Sequence, residues 1–336
     1  MSVDLFFFGE NMNQEMHPFK DWDKQVNLLS DRHNIIVSSQ ISAQEILKNY
    51  SYYTLVNGYQ RALESTANSE IFMDGIDIET IGYIQLIESH LSSDLLHHII
   101  TIEKKIKTIF QHEISKKFGT LQDDYLNLSN YITKERYDRK NVISQLKNVA
   151  NNDRRVSESL KKYRREGNVP PWILVNDLTF GQLERWYTIS QENIKQKVVS
   201  EFNLHFDDEE KDRESFRLIF LFLIAFRNGL AHGDVINKIS PRVIIHYWIW
   251  KNFYDDNIIN LIDYEENKLG KNDLYALFLI FGIFLSKEEK ALLLSSMKSY
   301  LQALNDILPI TEAPMRRLLG GLPSDFISRI DHILKF

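Results

Sequence analysis

The sequence predicts an all-α protein, and three observations carry that expectation. Gly at 13 and Pro at 7 of 336 residues are too few for folds that turn often, such as sandwiches and propellers. The apolar residues Ile84, Ile87, Leu91, Leu95, Ile99, Ile102, Ile106 and Ile109 return every three or four positions, marking one buried helical stripe. Residues 214–230 are apolar almost all round, as in a helix at the centre of a bundle.

Taken in order, residues 21–29 and 42–55 read as amphipathic helices. Trp22, Val26 and Leu29 share helical spacing, as do Ile46, Tyr50 and Tyr53. Ser42 fits an N-cap, with Glu45 three residues on completing a capping box. The striped helix runs from about Ile78 to Lys117, its end signalled by Lys116, Lys117 and Gly119. From Tyr125 to about Arg165 the chain is less apolar and reads as helices with a wide solvated face, stopped by Gly167-Asn168-Val169-Pro170-Pro171. Helix resumes over 178–190, a charged loop is expected over 205–213, and the apolar helix follows. Tyr247, Trp248, Trp250, Phe253 and Tyr254 read as core aromatics, not a base-stacking platform, because only Lys251 interleaves them. Two more helices are expected over 272–284 and 286–304, with a tail broken by Pro309, Pro314, Gly320, Gly321 and Pro323.

With 43% hydrophobic and 26% charged residues the chain can bury a sizeable core. The absence of cysteine removes disulfides, zinc ribbons, iron–sulfur clusters and thiol nucleophiles. Met1 to Glu10 has an apolar patch at Leu5–Phe8 but neither a basic n-region nor a small-residue cleavage site. The uncharged apolar run Leu218–Phe226 falls well short of the roughly 20 residues that span a bilayer. A cytoplasmic protein without a membrane partner is expected.

Net charge is −6, yet the charges are segregated. From Lys134 to Glu166 eleven Lys/Arg face five Asp/Glu, whereas from Glu201 to Glu214 seven acids face two bases. Arg154, Arg155, Lys161, Lys162, Arg164 and Arg165 lie in the basic block. They read equally as an RNA-backbone track or as a solvated helix face.

No phosphate-binding G-x-x-x-x-G-K-[ST] loop, dinucleotide G-x-G-x-x-G or zinc-binding H-E-x-x-H occurs. His97 and His98 point about 100° apart on a helix and cannot share a metal. No metal or other cofactor is expected. One segment stands apart: Phe226-Arg227-Asn228-Gly229-Leu230-Ala231-His232-Gly233-Asp234 places a permanent cation, an amide and an imidazole where the apolar helix ends. Gly229 and Gly233 can turn the chain there and swing His232 back toward Arg227. RNA can be cleaved without metal when its 2′-hydroxyl attacks the adjacent phosphate. That reaction needs a group that moves protons near neutral pH and a fixed cation for the charge gathering on phosphorus, which histidine and arginine supply. On spacing and context alone the commoner reading is structural, with Arg227 paired to a carboxylate and His232 capping the helix.

Beyond that motif, the chain from about Pro18 to Tyr247 resembles the Abi-like proteins (AbiD/AbiF) of bacterial abortive phage infection. The resemblance rests on ordered blocks: Lys48-Asn49-Tyr50-Ser51-Tyr52-Tyr53 with Gly58-Tyr59; Ile102-Glu103 with Ile106-Lys107-Thr108; Phe118-Gly119 with Tyr125-Leu126; Pro171-Trp172 with Leu178-Thr179-Phe180-Gly181; and Arg227-Asn228 through Ala231-His232. The resemblance implies a HEPN-type helical bundle, similar to the nuclease halves of type VI CRISPR effectors. It implies a homodimer whose two Arg/His pairs form one cleft, and an endoribonuclease of toxin type, in some relatives tied to a small structured RNA. Arg227 and His232 carry over as catalytic candidates, with Asn228 and Asn237 as supporting polar positions. Many members have a second histidine where this chain has Gly233. Glu103 reads either as an orienting partner for Arg227 or, more commonly, as an exposed i,i+4 partner of Lys107. On this reading the all-α unit comprises N-terminal helices with the long central helix (18–118), a basic helical excursion (119–169), the motif region (170–247) and a helical C-terminal extension (248–336). An RNA-binding or phage-sensing protein that does not cleave is the alternative.

Overall fold

Helix accounts for most of the described residues. The computed structural model describes residues 18–134, 137–202, 204–307 and 312–335, and among them there are seventeen α-helices and no strand. The Met1–Glu10 segment lies outside those residues. The chain forms two compact units, residues 1–82 and 83–336.

In the first unit α1 (Trp22–His33) covers the amphipathic segment expected over 21–29 and runs past it, and it is capped by Asp21, which accepts the N–H of Lys24 at 2.9 Å. Helix α2 (Gln40–Tyr50) begins earlier than expected, because Ser39 and not Ser42 is the cap. The Ser39 hydroxyl accepts the N–H of Ser42, and Ser42 is left to donate to Glu79 at 2.8 Å. The single helix expected over 42–55 is broken at Ser51, whose backbone stands at φ 62°. Ser51 then caps α3 (Tyr52–Leu63) by accepting the N–H of Thr54. A serine that bonds its own backbone competes with helix continuation, and periodicity alone does not register that competition.

Helix α4 (Ile78–Phe118) matches the striped segment; its residues to 82 belong to the first unit and the rest to the second. Ile84, Leu91, Leu95, Ile99, Ile102 and Ile106 are buried, but the stripe drifts, so that Phe110 and not Ile109 is the buried residue at its far end. Gly119, at φ 83°, ends the helix.

The second unit continues with α5 (Gln122–Tyr125), α6 (Arg139–Asn151), α7 (Glu158–Arg165), α8 (Pro171–Asp177), α9 (Phe180–Ile189) and α10 (Glu192–Ser200). A reciprocal Thr179/Gln182 capping box opens α9. The core here is aromatic. Trp186, fully buried, meets Phe110 edge-on at 5.2 Å and donates from Nε1 to the Tyr131 hydroxyl at 2.9 Å. Tyr131 in turn donates to the carbonyl of Tyr125, and Tyr125 to that of Val169, both at 2.6 Å.

Helix α11 (Glu209–His232) starts inside the expected charged loop. Asp208 caps it, and Asp212, buried, accepts the N–H of Phe206 and the amide of Gln196. Three acids in the first turn suit the positive end of the helix dipole. By length and composition α11 is the one described helix able to cross a membrane, and 56% of its most apolar stretch is buried within the protein. Its buried face, including Phe216, Phe220 and Leu223, packs on α9 and α10, which accounts for its hydropathy as a core helix. It is not apolar all round, since Arg217, Asn228 and His232 reach solvent.

The chain closes with α12 (Tyr247–Phe253), α13 (Leu261–Glu265), α14 (Leu274–Phe284), α15 (Lys287–Ile307), α16 (Glu312–Leu318) and α17 (Phe326–Leu334). Of the clustered aromatics Trp250 is core, fully buried and bonded to the carbonyl of Gly270. Pro314 falls in the first turn of α16, where a missing N–H costs nothing.

The histidine pair on α4 is packed edge to face at 5.4 Å. His98 is buried against Phe281, and its Nδ1 has no hydrogen-bond partner among the described residues. Burial and, next, the neighbouring His97 hold His98 below the ordinary histidine range, with Glu289 and Asp94 opposing. The unfolded chain therefore takes up this proton at a higher pH than the folded one. Stability from neutral His98 is complete above the ordinary value of about 6.5 and falls as pH drops below it. The urea midpoint is expected to fall between about pH 7.5 and about pH 5.5, and His98→Leu to flatten that fall. An identical slope in the variant would remove His98 as its source.

Candidate functional site

The last turn of α11 positions the motif. Its end is a Schellman closure: the N–H of Gly233 reaches the Leu230 carbonyl at 3.1 Å and that of Asp234 reaches Gly229 at 3.0 Å, with Gly233 left-handed at φ 77°. His232 therefore remains on the helix and does not swing back toward Arg227. Five positions of α-helix separate the two by about 140° around the axis and about 7.5 Å along it. Gly229 does not turn the chain. It lies within the helix, and a Cβ there would stand 3.0 Å from the Ile239 side chain, so it admits the segment that returns alongside.

Arg227 is half-buried. Its Nη1 lies 3.4 Å from the Asn228 side-chain oxygen, and its Nε is buried with no hydrogen-bond partner among the described residues. Among the described residues no carboxylate forms an ion pair with Arg227 or His232, and the terminal carbonyls of α11 are capped by backbone N–H groups and not by the imidazole. The carboxylate-paired arginine and the helix-capping histidine are thus absent from the described residues. His232 and Asn228 share one side of the helix and open onto a groove of about 750 Å³. One wall is α11 from Arg217 to His232; the other is the segment 238–243. Three contacts set that second wall. Buried Glu88 on α4 accepts the N–H of Ile236 at 2.7 Å. Ile239 packs on Gly229. The side-chain amide of Asn272 donates to Ser240 Oγ at 3.0 Å and to the Pro241 carbonyl at 2.9 Å.

Asn237 sits half-buried in the 3-10 turn after the motif, with Gly320 close to its backbone. Glu103 is not brought to Arg227. Its carboxylate pairs with Lys107 at 2.9 Å, as the i,i+4 spacing suggests, but the pair is buried and not exposed, and Lys107 also holds the Leu178 carbonyl.

The basic block is largely committed within the chain. Arg164 caps the C-terminal end of α6, donating to the carbonyls of Val149, Ala150 and Asp153 at 2.7–3.2 Å. Arg155 pairs with Asp153, Lys161 with Glu158 and Lys162 with Glu166. Arg154 and Arg165 are exposed. The sequence reading passed over Arg217 and Arg242, which flank the groove. The signal for Arg217 was the stripe Arg217, Leu221, Ala225, Asn228, His232, hidden by the apolar residues within it. Among the described residues no cluster of three or more His, Asp or Glu side chains suited to a metal ion is found.

The fold and site define an all-α protein bearing an arginine–histidine pair at the end of a core helix, beside an open groove. The chain belongs to the Abi-like protein family, whose model matches residues 45–237 and so takes in the tyrosine-rich block, the capping box of α9 and the whole Arg227–His232 motif. That membership suggests abortive infection defence. No curated protein and no solved structure matches the chain.

Proposed function

We propose that the protein is a toxin-like endoribonuclease of bacterial anti-phage defence, acting in the cytoplasm and cleaving RNA without a metal through Arg227 and His232. One observation carries this reading: among the described residues Arg227 is half-buried with no carboxylate partner, and one helical turn and a half further along the same helix His232 opens to a groove. A guanidinium withdrawn from water without a counter-ion is unfavourable until an anion arrives, and a phosphodiester offers paired oxygens to its fork of donors. The 2′-oxygen attacks phosphorus and the bond to the 5′-oxygen breaks, leaving a 2′,3′-cyclic phosphate and a 5′-hydroxyl. His232 moves the protons, and Arg227 stabilises the charge on the non-bridging oxygens.

Because about 140° of helix separates the two side chains, two copies of the chain complete the site, with Arg227 of one facing His232 of the other. Asn228 orients the guanidinium, and Asn237 supports the turn behind it. A small structured RNA lodged against the same residues would keep the enzyme silent. The same separation favours a second reading for a single copy, which binds RNA without cutting it.

Incubation with RNA in excess chelator is expected to give cleavage with cyclic phosphate ends. Strict dependence on added metal, or full cleavage by His232→Ala, would sink the assignment.

A further inference from the structure

The cations that flank the groove differ from those on α7. Arg217 is half-buried and Arg242 exposed, and neither forms an ion pair among the described residues, whereas Lys161, Lys162 and Arg155 each face a carboxylate of their own segment and Arg164 is spent on carbonyls. Lys238 adds a third positive charge on the wall facing α11, against the single acid Asp234 at the mouth. Arg217 lies fifteen residues before His232, on the side of α11 that Asn228 and His232 share. Beyond Arg217 that side turns acidic, for Glu214 and Glu210 are exposed one and two turns further back. Arg217 on one wall and Arg242 on the other, neither in an ion pair among the described residues, with acids past one end, describe a track of fixed length for a polyanion.

Building on the nuclease reading of this site, we infer that the groove is the RNA track, in which Arg217 and Arg242 bind backbone phosphates of a single strand that runs from His232 and leaves at Arg217. Fifteen residues of helix span about 22 Å, room for roughly six nucleotides at the stacked spacing of about 3.4 Å. Leu221 and Ala225 lie between the charged ends and give the bases an apolar wall. The acids at 210 and 214 repel the next phosphate and so set where the strand departs. The basic face of α7 takes no part.

The test uses the full chain carrying His232→Ala, so that RNA survives the measurement, and a fluorescent single-stranded oligouridylate read by anisotropy across a salt series. Arg217→Gln and Arg242→Gln, each added to that chain, are expected to weaken binding roughly tenfold and to lower the salt slope by about 0.7. The Lys161→Gln/Lys162→Gln double variant is expected to bind like its parent. Unchanged thermal midpoints separate lost contacts from lost folding, and exposed Arg242 is the safer of the two sites. Parental affinity in both arginine variants, or a loss confined to the α7 variant, overturns the track while leaving the nuclease reading standing. A change in oligomeric mass by light scattering that accounts for the weakened binding overturns it too, since the face would then be a contact between copies. Failure of the parent to bind any RNA brings down both the track and the reading it rests on.

Discussion

Mixing Arg227→Ala chains with His232→Ala chains is expected to restore RNA cleavage that neither variant has alone. Each substitution should lower the rate by about 10² to 10⁴-fold, the scale of a lost proton-transfer group or of a lost stabiliser of developing charge. The reason to expect rescue is the position of the two residues on α11. They project from different sides of the helix, and the Schellman closure at Gly233 keeps His232 there. In a heterodimer the His232→Ala chain still supplies Arg227 and the other chain still supplies His232, so one of two sites is whole. Random exchange of subunits puts about half of the molecules in that state, and the recovered rate should approach a quarter of the parent's. Titration of one variant against the other, followed on a fluorogenic RNA, gives the curve. A flat line at background, with exchange verified by mass, would place the complete site within a single chain.

The second large effect is on stability. Trp186→Ala is expected to lower unfolding free energy by about 3–5 kcal/mol, as truncation of a fully buried aromatic does. The indole fills the space between Phe110 of α4 and Tyr125 of α5, and its N–H is the first donor in a relay through Tyr131 and Tyr125 to the chain at Val169. Trp186→Phe keeps most of the packing and removes only that donor, so its loss should be less than half as large. Chemical denaturation of the two variants measures both. A phenylalanine variant as unstable as the alanine one would mean that the hydrogen-bond relay, and not ring packing, holds these helices together.

What the sequence disclosed was the local part of the structure. Most of the stripe on α4, the first helix from residue 21 and the stop at Gly119 rest on interactions within a few residues and lie where the sequence puts them. Long-range determinants stayed hidden. Ser51 belongs to a tyrosine-rich run that suits a continuing helix, yet it adopts a positive φ and starts a new one. Gly229 invites a reading as a turn, and only Ile239, ten residues on, reveals that the missing Cβ makes room. Arg164 looks like one more cation in a basic run until the open end of α6 comes within its reach. The motif itself was legible as residues but not as geometry: the chemistry of arginine and histidine can be read from their identities, whereas the angle between them depends on where the helix stops. Arg217 was missed for a related reason, since the apolar count of α11 outweighed the one face on which polar residues recur.

Asn272 fastens Ser240 and Pro241, and so holds the wall of the groove that faces α11. It lies thirty-five residues past the end of the family match at 237. The portion of the chain that marks its ancestry is therefore not a portable module. Excised at that boundary or grafted onto another protein, it would carry Arg227 and His232 but not the clamp that shapes the groove onto which His232 opens.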